Sequence, residues 1–302
     1  MVLFYEKTTA CWFKQKFFGV CLVLFTTPPL RVTMCILFIA NNIREDYPLI
    51  IAANRDEFHA RPTAPSQFWD EYPNLLAGRD LEAKGTWMGV TRNGKIAALT
   101  NVRQPDNIKQ SAVSRGELAV NWLLSTSDYG ASEHATRLHA TTLEATREQY
   151  NGYNLVFGQV TEQGTGNLSV YNNANNTLHT IEDGVIGLSN ADIVTPWPKV
   201  TQGVNALTDY TRNSATIHTE ALFAILRQDN KAADEVLPNT GIGYEWEKAL
   251  SSIFIQTPEY GTRTSTLLLV DNNKQVRWLE RQFSVSGDTV DTREYAFRIG
   301  DA

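Results

Sequence analysis

The chain holds 302 residues, 42% hydrophobic and 20% charged, an ordinary globular composition that excludes a disordered, collagen-like or multi-span membrane protein. Its formal net charge of -6 argues against a nucleic-acid partner, because phosphate binding needs a basic face. Three cysteines make no disulfide framework, and the paired spacings of a zinc cage are absent.

Residues 1–33 differ in character from the rest of the chain. Lys7, Lys14, Lys16 and Arg31 stand against Glu6 alone, a net +3 that leaves -9 for the remainder. Phe17–Phe25 is mostly apolar and too short to span a bilayer. The basic residues before it imitate the front of a secretory signal, but Thr26-Thr27-Pro28-Pro29-Leu30-Arg31 offers no small-x-small cleavage site. Met34 is also too large to precede a lipoprotein cysteine. Three readings stay open. Met34 is the true start of a cytoplasmic chain, or the extension is a signal or anchor that exports the chain or touches a membrane, or it is an ordinary structured arm. In the first case, removal of Met34 leaves Cys35 at the N-terminus.

From there the elements run in order. Cys35–Asn41 and Leu49–Asn54 read as short buried strands, followed by a loop-like stretch with Pro62, Pro65 and Pro73. Thr86–Thr91 and Lys95–Asn101 flank Asn93-Gly94, which predicts a type I′ hairpin. Ser114 and Glu117 suit a capping box for a helix to about Ser125. A second helix is expected over Ala131–Tyr150, with Leu138 and Leu143 near one face. Strands come next at Tyr153–Val160, Asn167–Tyr171, Thr177–Ile181 and Val185–Ser189, then helices near Lys199–Tyr210, Glu220–Arg227 and Tyr244–Leu250. The end is β again, at Ser252–Ile255, Thr262–Val270, Gln275–Phe283 and Glu294–Ile299. Strand clusters at both ends with helices between them predict antiparallel sheets covered by helices, in one domain from about residue 35 to 302.

An N-terminal cysteine carries a nucleophile and a base on one residue. The thiol has a reference pKa of about 8.5 and the α-amine about 7.7–8.0, so the amine can take the thiol proton without a histidine. The alternative is that Cys35 is a small buried hydrophobe at the head of a strand. Asn54-Arg55-Asp56-Glu57 ends the returning strand, which brings Arg55 and Asp56 back beside Cys35. There Arg55 would stabilise a thiolate and Asp56 would hold the α-ammonium; the alternative is a solvated ion pair of little worth. Asn101 and Asn190 lie at strand ends, where an amide NH₂ can meet an oxyanion, though asparagine is also common in turns. Arg263 stands at the entry to a strong strand, where a plain surface charge is the alternative. The histidines form no metal pattern, and no P-loop, dinucleotide fingerprint or Gly-x-Ser-x-Gly elbow appears.

Several motifs combine into a specific resemblance. Met34-Cys35, Asn54-Arg55-Asp56-Glu57, Gly78-Arg79-Asp80, Gly85-Thr86-Trp87-Met88-Gly89 and Ser114-Arg115-Gly116 resemble the NRDE family, that of the eukaryotic transport-and-Golgi-organisation protein. Asn151–Leu155, Gly187–Asn190 and Tyr260–Thr266 continue the match nearly to the end, with no counterpart before Met34. That family is in turn similar to cysteine-type N-terminal nucleophile hydrolases, the cholylglycine hydrolases and penicillin V acylases. The resemblance implies an α+β, four-layer αββα sandwich and hydrolysis of a non-peptide amide through an acyl-thioenzyme. It implies Cys35 as nucleophile, Arg55 beside it and Asp56 on the α-amine, with local spacing unlike the acylases. Asn101 and Asn190 would form the oxyanion hole, Arg263 would be the late active-site arginine, and Asn54, Glu57, Arg79 and Trp87 would contact substrate. Arg55 and Arg263 are expected to lower the Cys35 pKa, and Asp56 to oppose them. No metal or cofactor is required. The family's links to haem and to lipid or acyl-CoA handling imply a second function, binding or trafficking of such a ligand without turnover.

Overall fold

The computed structural model describes residues 34–125 and 133–301. The extension 1–33, with its apolar run, and Ala131 lie outside the described residues.

Among the described residues, thirteen strands and five α-helices come in chain order. They are β1 (Met34–Asn41), β2 (Leu49–Phe58), β3 (Thr63–Trp69), β4 (Tyr72–Asp80), β5 (Met88–Thr91), β6 (Lys95–Asn101), α1 (Gly116–Leu123) and α2 (Glu133–Thr146). Then come β7 (Tyr153–Val160), β8 (Gly166–Asn172), β9 (Thr177–Thr180), β10 (Gly184–Leu188), α3 (Pro198–Asn213), α4 (Thr219–Leu226) and α5 (Tyr244–Ala249). The chain ends with β11 (Tyr260–Val270), β12 (Gln275–Phe283) and β13 (Thr289–Arg298). One sheet has the order β10-β1-β2-β11-β12-β13 and the other β3-β4-β5-β6-β7-β8-β9, all antiparallel.

Alternation along the strands builds four layers. Leu37, Ile39 and Ile51 of the first sheet meet Leu76, Val90, Ile96 and Val156 of the second in a shared core. The opposite parity, Ile36, Phe38, Ala52 and Leu267, packs on Val200 and Leu207 of α3 and on Leu222 and Phe223 of α4. On the far side Ala97, Leu155 and Phe157 pack on Leu118 and Trp122 of α1 and Leu143 of α2. The fold is thus the expected α+β, four-layer αββα sandwich. Among the described residues no helix is long and apolar enough to cross a membrane.

Local departures from expectation have physical causes. The proline-marked stretch is β3 and β4, because Pro65 sits on an edge strand and Pro73 near a strand start, where no ladder donor is needed. The β5–β6 hairpin has a three-residue loop, and only Gly94 has positive φ, so the turn is not type I′. Glu117 does not close a capping box; its carboxylate accepts from Tyr150 Oη at 2.7 Å. Leu138 is 48% exposed while Leu143 is buried, since five residues along a helix turn away from one face. Ser252–Ile255 is buried but forms no strand. Gly203 lets α3 lie close on β1: a Cβ there would come within 2.0 Å of Phe38 Cζ.

His139 of α2 packs between Trp122 and Phe157. Burial, helped by Lys95, pushes its pKa down to about 4 from 6.5. The unfolded chain therefore binds this proton first. Stability from the neutral ring is present above pH 6.5 and is lost as pH falls toward 4. That loss amounts to roughly 2–3 kcal/mol. His139→Phe should remove this part of the acid sensitivity, measured by urea unfolding at pH 7 and pH 4.5.

Candidate active site

The hairpin of β1 and β2 places the expected residues by register. Cys35 pairs with Arg55 and Met34 with Asp56. Because side chains alternate, Cys35, Arg55 and Glu57 point between the sheets, where they line a cleft of about 320 Å³. Trp87, Leu99, Asn101, Arg61, Asp80 and Arg115 complete much of its wall. Asp56 also reaches its lining, but its carboxylate lies in the buried layer with Thr262, whose Oγ1 donates to Oδ1 at 2.6 Å.

Arg55 is held from several sides. Its guanidinium lies 4.5 Å from the Trp87 ring centroid, donates to Thr63 Oγ1 at 3.0 Å, and sits 3.6 Å from Glu57 and 3.7 Å from Asp80. Arg61 Nε donates to Asp80 Oδ2 at 2.7 Å, and Asp80 Oδ1 accepts the backbone N–H groups of Glu82 and Ala83. Burial raises the Glu57 pKa, against the pull of Arg55. The cleft mouth is therefore a network of alternating charge.

The Cys35 thiol is not activated in the chain that retains Met34. Burial first, then the Asp56 charge, push its pKa from 9.0 up to about 12. Arg55 opposes this and loses. Arg263 is not among the groups that move the thiol in this form, whereas the expectation of an activated thiol concerns a chain that begins at Cys35. Arg263 sits at a bulge of β11, and its Nη1 donates to the carbonyls of Phe58, His59 and Arg61 at 3.1, 3.1 and 3.2 Å. It clamps the turn after β2 and does not line the cleft.

Other expected residues divide in the same way. Asn101 ends β6 and lines the cleft. Asn190 lies behind it, with Nδ2 donating to Asn101 O at 2.9 Å, so part of its amide already serves the backbone. Ser189 Oγ donates to Cys35 O at 3.0 Å and to Asn190 Oδ1 at 2.8 Å, tying the end of β10 to β1. Trp87 and Glu57 line the cleft. Asn54 and Arg79 do not. Asn54 Nδ2 donates to Leu226 O and Ile253 O while Oδ1 accepts from Ser265, because its parity faces the helices. Arg79 lies over Trp69 and pairs with Glu71.

The helix-side layer holds residues that the sequence alone does not flag. Lys199 is 1% exposed, and neither its Nζ nor Asp56 Oδ2 has a hydrogen-bond partner among the described residues. Burial pushes Asp56 up to about 7, mainly against Lys199, and pushes Lys199 down to about 7, mainly against Asp56. Met34 fills an apolar niche beside them with Trp246, Leu250 and Tyr260, and its N–H donates to Tyr260 Oη at 2.7 Å. A lysine in the first turn of a helix opposes the helix dipole, and that is the one signal the sequence offers for Lys199.

A family profile described as Transport and Golgi organisation 2 matches residues 34–285. The Transport and Golgi organization protein 2 homologs of Bos taurus and Homo sapiens are 33% and 32% identical over 282 residues, covering 88% of this chain and 99% of theirs. The Drosophila melanogaster protein is 26% identical over 263 residues, 82% of this chain and 91% of its own. Among solved structures, a Caenorhabditis elegans N-acylethanolamine-hydrolyzing acid amidase ortholog aligns at 9% identity, over 78% of this chain and 92% of its own, with a TM-score of 0.38. A mutant conjugated bile acid hydrolase from Clostridium perfringens aligns at 9% identity, over 91% and 87%, also at 0.38. Likeness at that level carries no weight for the chemistry. The sequence matches do: with its profile spanning the whole β1–β12 body and relatives matched over nearly their full length, the chain belongs to the Transport and Golgi organisation 2 family.

Proposed function

We propose that the chain hydrolyses a non-peptide amide of a small amphiphilic substrate, with Cys35 as nucleophile once its α-amine is free. The observation that carries this reading is the pairing of a cleft-facing cysteine with a buried carboxylate opposite Met34. The peptide bond that joins Met34 to Cys35 runs beside Asp56, whose Oδ2 is unpartnered among the described residues. An α-amine released there has an acceptor waiting.

The reaction follows from the residues. The thiol proton passes to the α-amine, and the sulfur attacks the amide carbonyl carbon. The carbonyl oxygen gains the electron pair and meets the Asn101 amide, which Asn190 positions through its backbone. The C–N bond breaks, the leaving amine takes the proton from the α-ammonium, and an acyl-thioester remains. Water then attacks that thioester with the amine as base, releasing the acid and restoring the thiol. Trp87, Leu99 and Val113 suit an apolar part of the substrate, and the mixed charges of the cleft mouth suit a polar one.

A second reading has its own observation. With Met34 retained, the thiol pKa of about 12 leaves Cys35 inert. The same cleft then serves only to bind a ligand such as an acyl lipid or haem. An electrophilic acyl probe decides between the two. Chain beginning at Cys35 should label at one site, and Cys35→Ala should abolish labelling. Unlabelled Cys35 in that chain, with an acyl-CoA or haem still bound, would establish the second reading.

A further inference from the structure

The amidase reading puts a developing oxyanion at Asn101. A donor there must be held closely, because a misplacement of about 1 Å costs roughly a hundredfold in rate. Asn101 is the last residue of β6, so the sheet does not fix the chain beyond it. Asn190 supplies part of the hold, since its Nδ2 donates to Asn101 O at 2.9 Å. Yet Asn190 lies in irregular chain just after β10 and needs fixing itself.

Asn154 meets that need. It stands in β7, within the Asn151–Leu155 motif, opposite Thr100 of β6 and Asn172 of β8. It shares parity with Val156 of the shared core, so its side chain points between the sheets. There its Nδ2 donates to Ala191 O at 2.8 Å and to Ser189 O at 3.3 Å, the two carbonyls that flank Asn190. It also donates to Thr100 Oγ1 at 3.0 Å. Asn172 Nδ2 donates to Asn154 Oδ1 at 2.8 Å, which turns the NH₂ end of the amide toward the carbonyls. Asn190 is thus held on several sides. Asn154 takes its flanking carbonyls, the Arg103 N–H donates to its own carbonyl at 2.8 Å, and Ser189 Oγ donates to its Oδ1 at 2.8 Å. The same motif reaches the far side of Asn101, where Gly152 O accepts the Val102 N–H at 2.9 Å. Asn154, Ser189 and Asn190 are all buried. Loss of the Asn154 amide would deprive two backbone carbonyls of a donor, and the segment would shift to satisfy them.

We propose that Asn154 is a positioning residue for the oxyanion site. By gripping the carbonyls of Ser189 and Ala191 it sets Asn190, and through Asn190 the end of β6 that carries Asn101. The proposal rests on the amidase reading. Its effect belongs to reactions in which a carbonyl oxygen takes up charge. In acyl transfer the sulfur attacks the carbonyl carbon and an electron pair moves to the oxygen, then returns as the leaving group departs. In alkylation by iodoacetamide the sulfur displaces iodide from a CH₂ carbon, and no oxyanion forms. Comparing the two reactions separates placement of the oxyanion site from the state of the thiol.

The experiment uses chain whose Cys35 terminus has been verified by intact mass. Acylation by p-nitrophenyl butyrate is followed by the first turnover of nitrophenolate and by the mass of the thioester. Alkylation by iodoacetamide is followed in parallel. Asn154→Ala should acylate at least about tenfold more slowly than wild type, less than the full loss of an oxyanion donor, while alkylation stays within about twofold. Unchanged acylation overturns the proposal. So does an equal fall in both rates, which would make Asn154 a structural cross-link only. If that variant does not fold, Asn172→Ala leaves Asn154 in place without its orienting donor. It should slow acylation by about threefold or more with alkylation unchanged, and equal rates there overturn the proposal as well. Failure of the amidase reading looks different: wild type is alkylated at Cys35 but never acylated, which removes the role of Asn154 with it.

Discussion

Chain that begins at Cys35 should be alkylated at that thiol at least about tenfold faster at pH 7 than chain that retains Met34. The magnitude comes from the thiol pKa, which burial and Asp56 push from 9.0 to about 12 while Met34 is present. Thiolate is the reactive species, so each unit by which the pKa falls gives about a decade more thiolate, about half of it offset by the weaker nucleophile. Removing Met34 acts on both causes. It empties an apolar niche against Trp246 and Tyr260, which lets water approach, and it replaces an amide nitrogen with a basic amine. Asp56 then faces a group it can hydrogen-bond rather than only repelling a nascent thiolate. The measurement is intact-mass kinetics with iodoacetamide on the two forms, using Cys35→Ala as the blank. Equal rates would mean that Met34 does not control the thiol, and the self-contained nucleophile would fail with it.

The hairpin that carries this chemistry is legible in the sequence because it obeys local rules. Two apolar runs of strand length, joined by a short polar link, return Arg55 to the residue facing Cys35. Its polar end is equally plain, since charged residues directly after a buried run must meet a cleft or solvent. The residues do not reveal which face each occupies. Asn54 and Asp56 share parity and face the helices, while Arg55 and Glu57 face the cleft, so a motif of consecutive residues divides between two layers. Arg263 escapes for a different reason. A bulge in β11 turns it onto the carbonyls of Phe58–Arg61, and bulges leave no mark in composition. Lys199 is hidden because a lysine in an amphipathic helix reads as a solvated one. Its burial depends on the distant contact between Gly203 and Phe38, which only the assembled fold supplies.

Removing either Asp56 or Lys199 alone should destabilise the chain that retains Met34 by about 3–5 kcal/mol, while removing both should cost far less. Each is buried, and each opposes the burial cost of the other's charge. A double-mutant cycle with Asp56→Asn and Lys199→Met, read by urea unfolding at pH 7, should therefore show strong coupling. The pH dependence of the single variants adds a check on sign. In Asp56→Asn, Lys199 stays buried with its pKa below the unfolded value of 10.5 and no carboxylate to raise it. The unfolded chain then binds more protons below pH 10.5, so this variant should gain stability as pH rises toward that value. In Lys199→Met, Asp56 stays buried with its pKa above the unfolded 3.8 and has lost the cation that most lowered it. The folded chain then binds more protons above about pH 4, so this variant should lose stability as pH rises from there. Opposite slopes in the two variants, both flattened in the double variant, are the signature of a shared buried charge. Parallel slopes would show that the two residues merely fill space, and the compartment behind Cys35 would then have no electrostatic part in holding its amine.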